Sequence, residues 1–146
     1  MIHLDTHVIA WLYDGEVERL PRSVQAALEA NDLLISPMVQ LELEYLHDIG
    51  RLAATSSAIL DDLNARIGLR LSSAPFAKII EHAARLSWTR DPFDRIIVAT
   101  AIADDLPLLT KDETILEHCA LAGWDDTAPA RSRAPSRRRA KKRPRR

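Results

Sequence analysis

Asp91-Pro92-Phe93-Asp94-Arg95-Ile96-Ile97-Val98-Ala99-Thr100-Ala101 reads as a helix start whose first turn holds an acid where an apolar side chain is expected. Pro92 suits the first helical position, where its missing N–H is no loss, and Asp91 suits the N-cap before it. Nothing breaks the run until Pro107, which places a helix from Pro92 to about Asp104. At about 100° per residue, Asp94 shares a face with Ile97, Val98 and Ala101, the apolar stripe. A single acid at N3 could serve only the helix dipole. A carboxylate facing a core otherwise needs a helix terminus, a cation or a metal as partner, and the rest of the chain holds three more acids in comparable positions.

Ile2-His3-Leu4-Asp5 is predicted as a short strand ending in a carboxylate, which caps a helix from near Thr6 through Val8, Ile9, Trp11 and Leu12 to the breaker Gly15. A second helix is expected over Arg22 to Ala30 and a strand over Leu33-Leu34-Ile35. Ser36-Pro37 is another cap-plus-proline pair, opening a helix to about Asp48. Its buried stripe is expected to hold Met38, Tyr45, Leu46 and Ile49, with Glu42 on the stripe and Glu44 facing away. Further helices are expected from Ser56 or Ser57 to about Ile67 and from Pro75 to about Ser87, with a strand at Leu69-Arg70-Leu71 between them. Leu108-Leu109-Thr110 reads as a strand, Asp112 as the start of a short helix through His118, and residues 120–124 as a last strand or irregular edge.

Short strands alternating with helices argue an α/β fold with a short, mainly parallel central sheet. In such sheets the site lies outside the carboxyl ends of the strands. Asp5 and Asp112 follow strand ends, and Glu42 and Asp94 face inward near helix starts, so four acids from four segments can converge on one cleft. Gathered carboxylates repel one another unless a cation joins them. A hard divalent ion such as Mg²⁺ suits such a set, and it can activate water and neutralise charge on a phosphodiester. No nucleophile elbow, phosphate-binding glycine loop or paired Cys/His motif is present.

At 146 residues, with 47% apolar side chains, the chain suffices for one domain with a core. The net charge of -1 hides two opposed parts. Residues 1–127 carry 10 Lys and Arg against 21 Asp and Glu, a net of -11, whereas residues 128–146 carry 10 Lys and Arg and no acid. The single cysteine, Cys119, excludes a disulfide framework and a cysteine-rich zinc site. No apolar run approaches the roughly 20 residues that span a bilayer, and the start reads as structure, not as a secretory segment; a cytoplasmic protein without membrane contact is expected. His3, His7, His47, His82 and His118 show no ligand spacing and read as ordinary polar or partly buried residues, and Trp11 and Trp88 read as core rather than as base-stacking platforms. Arg90 and Arg95 flank the acids, as surface ion-pair formers or as contacts to RNA phosphate.

Four stretches together resemble a known family: Leu4-Asp5-Thr6-His7-Val8-Ile9-Ala10-Trp11, Ser36-Pro37-Met38-Val39-Gln40-Leu41-Glu42-Leu43, Arg90-Asp91-Pro92-Phe93-Asp94-Arg95 and Leu108-Leu109-Thr110-Lys111-Asp112. In order and spacing they look like the successive motifs of PIN-domain proteins, in particular the VapC-type toxins of type II toxin–antitoxin systems. The resemblance implies a three-layer α/β/α fold over residues 1–127 and an endoribonuclease dependent on Mg²⁺ or Mn²⁺ that acts as a toxin on translation and growth. It implies Asp5, Glu42, Asp94 and Asp112 as the catalytic, metal-binding acids, with Thr6 and Thr110 as polar neighbours. It also implies an RNA substrate, a cognate antitoxin and a homodimer. Two other readings compete. One is a non-catalytic nucleic-acid-binding or regulatory module on the same fold, using the basic tail. The other is a phosphatase with a strand-end aspartate nucleophile, against which His7 stands where a second aspartate is expected.

The tail from about residue 128 holds only Ala, Pro, Ser, Arg and Lys, a composition that cannot bury a core and is expected to be disordered. Its Arg131–Arg146 stretch suits non-specific, salt-dependent contact with nucleic acid, or it is a dispensable extension. Deleting residues 128–146 should therefore flatten the slope of log affinity against log salt for a random nucleic acid, and an unchanged slope would make the tail dispensable for binding.

Overall fold

The computed structural model describes residues 1–125; the expected domain limit at 127 and the tail 128–146 lie outside the described residues. Five strands, β1 (Ile2–Leu4), β2 (Leu33–Ile35), β3 (Arg70–Leu71), β4 (Leu108–Leu109) and β5 (Ala122–Gly123), form one sheet in the order β3-β2-β1-β4-β5. Every pairing is parallel, with His3 opposite Leu34 on one side and Leu108 on the other. Seven helices connect and cover the strands: α1 (Thr6–Asp14), α2 (Arg22–Ala30), α3 (Pro37–Asp48), α4 (Ser56–Ile67), α5 (Phe76–Ala83), α6 (Pro92–Asp104) and α7 (Glu113–His118). A short 3-10 turn, Val17–Arg19, precedes α2. The result is the expected three-layer α/β/α arrangement.

The central strand is buried on both faces, with Ile2 and Leu4 on one and His3 on the other, where its Nε2 lies 2.7 Å from Asp104 Oδ2. Ile2 and Leu4 are buried, as are Val8 and Ile9 on α1, Ile35 on β2 and Ile97 and Val98 on α6, all in one cluster. The helix boundaries follow the local chemistry. Asp91 Oδ1 accepts the Phe93 N–H at 2.8 Å and so starts α6, and Ser36 Oγ accepts the Met38 N–H at 3.1 Å to start α3. Gly15 closes α1 at φ 72°, in the left-handed region that a glycine enters without strain. The sheet runs outward from β1 in two directions, toward β2 and toward β4, so the chain's topological switch point lies between β1 and β4.

Two expectations need correction. The buried residues of α3 are Val39 and Leu43, not the Met38-Tyr45-Leu46-Ile49 stripe; Tyr45 and Ile49 are half exposed, at 50% and 49%. This helix has apolar residues at helical spacing on two faces, and contacts with α1, α4 and α6 select the Val39–Leu43 one. Helix α5 ends at Ala83 rather than near Ser87. Its last carbonyls are taken by tight i→i+3 bonds from Arg85 and Leu86, and the Arg95 guanidinium donates to the Ala83 carbonyl at 3.1 Å, a side-chain cap that stops the helix. Among the described residues no helix is long and apolar enough to cross a membrane.

Ile97 lies beneath the first turns of α6 and is 1% exposed. Ile97→Ala should lower unfolding free energy by about 2–5 kcal/mol through lost burial and the cavity left behind. Urea denaturation measures this, and a loss below about 1 kcal/mol would contradict the packing described.

Candidate active site

The carboxyl ends of β1 and β4 open into a cleft of about 400 Å³ whose lining includes Asp5, Thr6, His7, Trp11, Glu42, Asp94 and Asp112. The structure thus brings together all four acids singled out in the sequence. Asp5 follows β1 and caps α1: Oδ1 accepts the Thr6 N–H at 2.7 Å. Its other oxygen, Oδ2, accepts the Thr110 hydroxyl at 2.7 Å across the β1–β4 boundary. The same Thr110 oxygen accepts the Asp112 N–H at 3.0 Å, and Asp112 Oδ1 caps α7 by accepting the Ile115 N–H at 2.9 Å. Asp5 and Asp112 therefore cap helices and also line the cleft. Glu42 arrives from α3 and Asp94 from the first turn of α6, each half-buried. Asp91 is the α6 cap and does not line the cleft.

The electrostatics follow from this crowding. Burial raises the Asp94 carboxyl from 3.8 to about 7, and Asp91, Asp5, Asp112 and Glu42 add to the rise. Burial also raises Glu42; the nearby Thr6 hydroxyl offsets part of this, and Asp5 and Asp91 push it further up. Like charges in a partly desolvated cleft disfavour the ionised state of each. Thr6 Oγ1 is buried and makes no full hydrogen bond.

His7, read from the sequence as an ordinary polar residue, belongs to the cleft. Its Nε2 accepts the Lys111 N–H at 2.9 Å, which places the ring proton on Nδ1, 3.7 Å from Asp5 Oδ2. Burial lowers its pKa against the opposing pull of Asp5 and Asp112. Trp11 and Arg51 also line the cleft without having been singled out for it. The signal for His7 and Trp11 was their position two and six residues after Asp5, with i,i+4 spacing on one helix face. Nothing in the sequence marks Arg51, which lies in the loop after α3. Arg95 does not line the cleft, because its guanidinium is held by the Ala83 and Ala84 carbonyls. Arg90 is exposed and also absent from the lining.

A hard divalent cation fits the chemistry of this donor set: carboxylate oxygens crowded together, two of them on groups whose ionised form is disfavoured by burial and by one another. Among the described residues, no three His, Cys, Asp or Glu side chains are gathered closely enough to hold a metal ion alone. Such a set suits an ion that keeps much of its water, as Mg²⁺ does.

Fold and site define an α/β protein with a parallel sheet and an acidic cleft at its topological switch point. A family model for the PIN domain matches residues 2–121. The chain is 31% identical over 118 residues to Ribonuclease VapC22 of Mycobacterium tuberculosis, covering 79% of this chain and 89% of that protein. The chain belongs to the PIN-domain family. Two solved structures share the fold. One is the crystal structure of VapBC2 from Rickettsia felis bound to a DNA fragment from their promoter, with a TM-score of 0.60, 20% identity, and 86% of this chain and 100% of that chain covered. The other is a toxin-antitoxin complex from Klebsiella pneumoniae, with a TM-score of 0.59, 19% identity, and 84% and 96% covered.

Because the Asp94 carboxyl in the folded chain titrates near 7 rather than 3.8, the fold favours its protonated form. Stability from this group is fully present only below 3.8 and is lost progressively as pH rises from there through about 7. Asn at this position suffers no such loss. With EDTA present, Asp94→Asn should gain stability over the natural chain as pH goes from 5 to 8, on the order of 1–2 kcal/mol after discounting for solvent. Thermal melts at both pH values test this; a gap that does not widen would remove the repulsion argument.

Proposed function

We propose that this protein is a divalent-metal-dependent endoribonuclease, the toxin of a toxin–antitoxin pair, which hydrolyses RNA phosphodiester bonds in the acidic cleft and thereby inhibits translation and growth. The observation that carries the reading is the convergence of Asp5, Glu42, Asp94 and Asp112 from four segments on one cleft at the β1–β4 switch point. The similarity to a protein named as a ribonuclease supports it, and the two structural neighbours described as toxin–antitoxin assemblies prompt the antitoxin.

In this reading Asp5, Glu42, Asp94 and Asp112 would hold Mg²⁺ or Mn²⁺ partly through water, since no three of them are gathered closely enough to hold the ion alone. The bound ion supplies charge neutralisation at the phosphate and a more acidic water. The chain's own groups prepare the site. Thr110 fixes Asp5 Oδ2 and the Asp112 backbone, and the Asp5 carboxylate is held at both oxygens before any ligand arrives. Pre-set donors of this kind need no reorganisation during reaction. Leu46, Leu52 and Trp11 give the cleft an apolar wall, and Arg51 stands among its lining residues to meet phosphate.

The nuclease domain spans residues 1–127, and the tail of residues 128–146 adds non-specific nucleic-acid contact. The protein acts in the cytoplasm as a homodimer restrained by a cognate antitoxin. The exposed side chains of Leu41 and Phe76, 56% and 67% accessible, support a protein partner.

The test is cleavage of total RNA by the purified full chain with Mg²⁺, with Mn²⁺ and with EDTA, beside Asp5→Asn and Asp94→Asn. Cleavage should require metal, fall at least about 100-fold in both variants (several kcal/mol of barrier), and leave small phosphomonoesters untouched. Variants that cut like the natural chain would end the nuclease reading. No cleavage under any condition, in protein free of antitoxin, would favour the binding module that uses the basic tail.

A further inference from the structure

Three aromatic rings from two distant parts of the chain meet at the side of the acidic cleft. His7 and Trp11 lie one helical turn apart on α1, with centroids 5.1 Å apart and planes at 64°. Trp124, just after β5, closes the group at 5.9 Å from His7 and 6.1 Å from Trp11. Lys111, two residues past β4, places Nζ 5.8 Å from the Trp11 ring centroid. His7 and Trp11 line the same cleft as the four acids.

Trp11 and Trp124 pack against the main core cluster and are each left part-exposed at its edge, so each joins an apolar footing to an accessible ring. The cluster also holds the Lys111 cation against an aromatic face beside four carboxylates, a second positive charge near the cleft besides Arg51. Aromatic faces bind unpaired bases regardless of sequence, and a neighbouring cation takes the phosphate that comes with the base.

Resting on the ribonuclease reading above, we propose that His7, Trp11 and Trp124 form a stacking subsite for one unpaired base of the RNA, with Lys111 holding an adjacent phosphate. The subsite sets the position of the strand relative to the acids. Because a base must leave its stack to reach it, the site selects unpaired over duplex RNA. It carries little base preference, since every base offers a π-face.

The chain has three tryptophans, so Trp88→Phe leaves only Trp11 and Trp124 to report by fluorescence. In that full-length background, with Asp94→Asn to prevent turnover, a short dye-labelled single-stranded oligoribonucleotide is titrated by indole emission and by dye anisotropy. The expected result is saturable quenching by the single strand, with no quenching by inorganic polyphosphate and much weaker binding of the same sequence as a duplex. Trp11→Ala should weaken binding about 10-fold, the range expected for one stacked base, while Trp11→Phe keeps most of the affinity. Lys111→Ala, at an exposed position, should reduce the salt slope of binding by about one phosphate contact even if Trp11→Ala does not fold. Binding that Trp11→Phe, Trp11→Ala and Lys111→Ala all leave unchanged would overturn the subsite while leaving the nuclease reading standing. Absence of any anisotropy change with RNA would overturn both.

Discussion

The hydrogen bond from Thr110 Oγ1 to Asp5 Oδ2 spans 2.7 Å and joins residues 105 apart in sequence. It is made where β1 and β4 lie side by side, and that adjacency is the turning point of the sheet order. Parallel strands end their carbonyl edges at one rim, so a residue just past each strand is delivered to the same place. The Thr110 hydroxyl has one proton to give and lone pairs to receive. It spends the first on Asp5 and uses the second for the Asp112 N–H. A single small side chain thereby sets two acids from opposite ends of the chain.

The acids of this site fall into two kinds. Asp5 and Asp112 accept backbone N–H groups at helix starts, so local structure accounts for them even without a ligand. Glu42 and Asp94 have no such compensation, and it is these two whose carboxyls are pushed upward, by burial first and by neighbouring acids after it. The tension is therefore concentrated on the side of the cleft built from α3 and α6. An arrangement that only stabilised a helix terminus would not need Glu42 and Asp94 to face the other two. Their burial beside other acids costs stability, which on the proposed reading a cation would offset.

Most of the fold was legible because its boundaries rest on local chemistry. Asp91-Pro92 and Ser36-Pro37 start α6 and α3 where cap and proline rules place them, and Gly15 and Gly68 end α1 and α4 in left-handed geometry. The failures were tertiary. Helix α3 offers Leu41, Tyr45 and Ile49 at helical spacing as well as Val39 and Leu43, and periodicity cannot say which set meets α1, α4 and α6. The end of α5 depends on Arg95, twelve residues beyond Ala83, reaching back to a carbonyl. The bringing together of the acids was legible from strand ends and helix faces. His7 and Trp11 were not assigned to the cleft, because an imidazole and an indole beside a strand end are as readily core as site until Trp124 and Lys111 are seen against them.

An acidic site that is to meet a polyanion faces a contradiction that the charge distribution addresses at two ranges. Residues 1–127 carry a net charge of -11, which repels nucleic acid at distances up to the Debye length, about 8–10 Å in physiological salt. A divalent ion removes the repulsion only within the cleft itself. Lys111 and Arg51 stand within the next few ångströms, one over the Trp11 face and the other in the lining. Residues 128–146, with 10 Lys and Arg and no acid, offset nearly the whole charge of the domain. They follow Trp124, whose ring rests against His7 and Trp11, so the basic segment begins within about ten residues of the ring cluster. On the proposed reading, placing the basic residues in a separate stretch of sequence leaves Asp5, Glu42, Asp94 and Asp112 as a set of oxygen donors with no lysine among them.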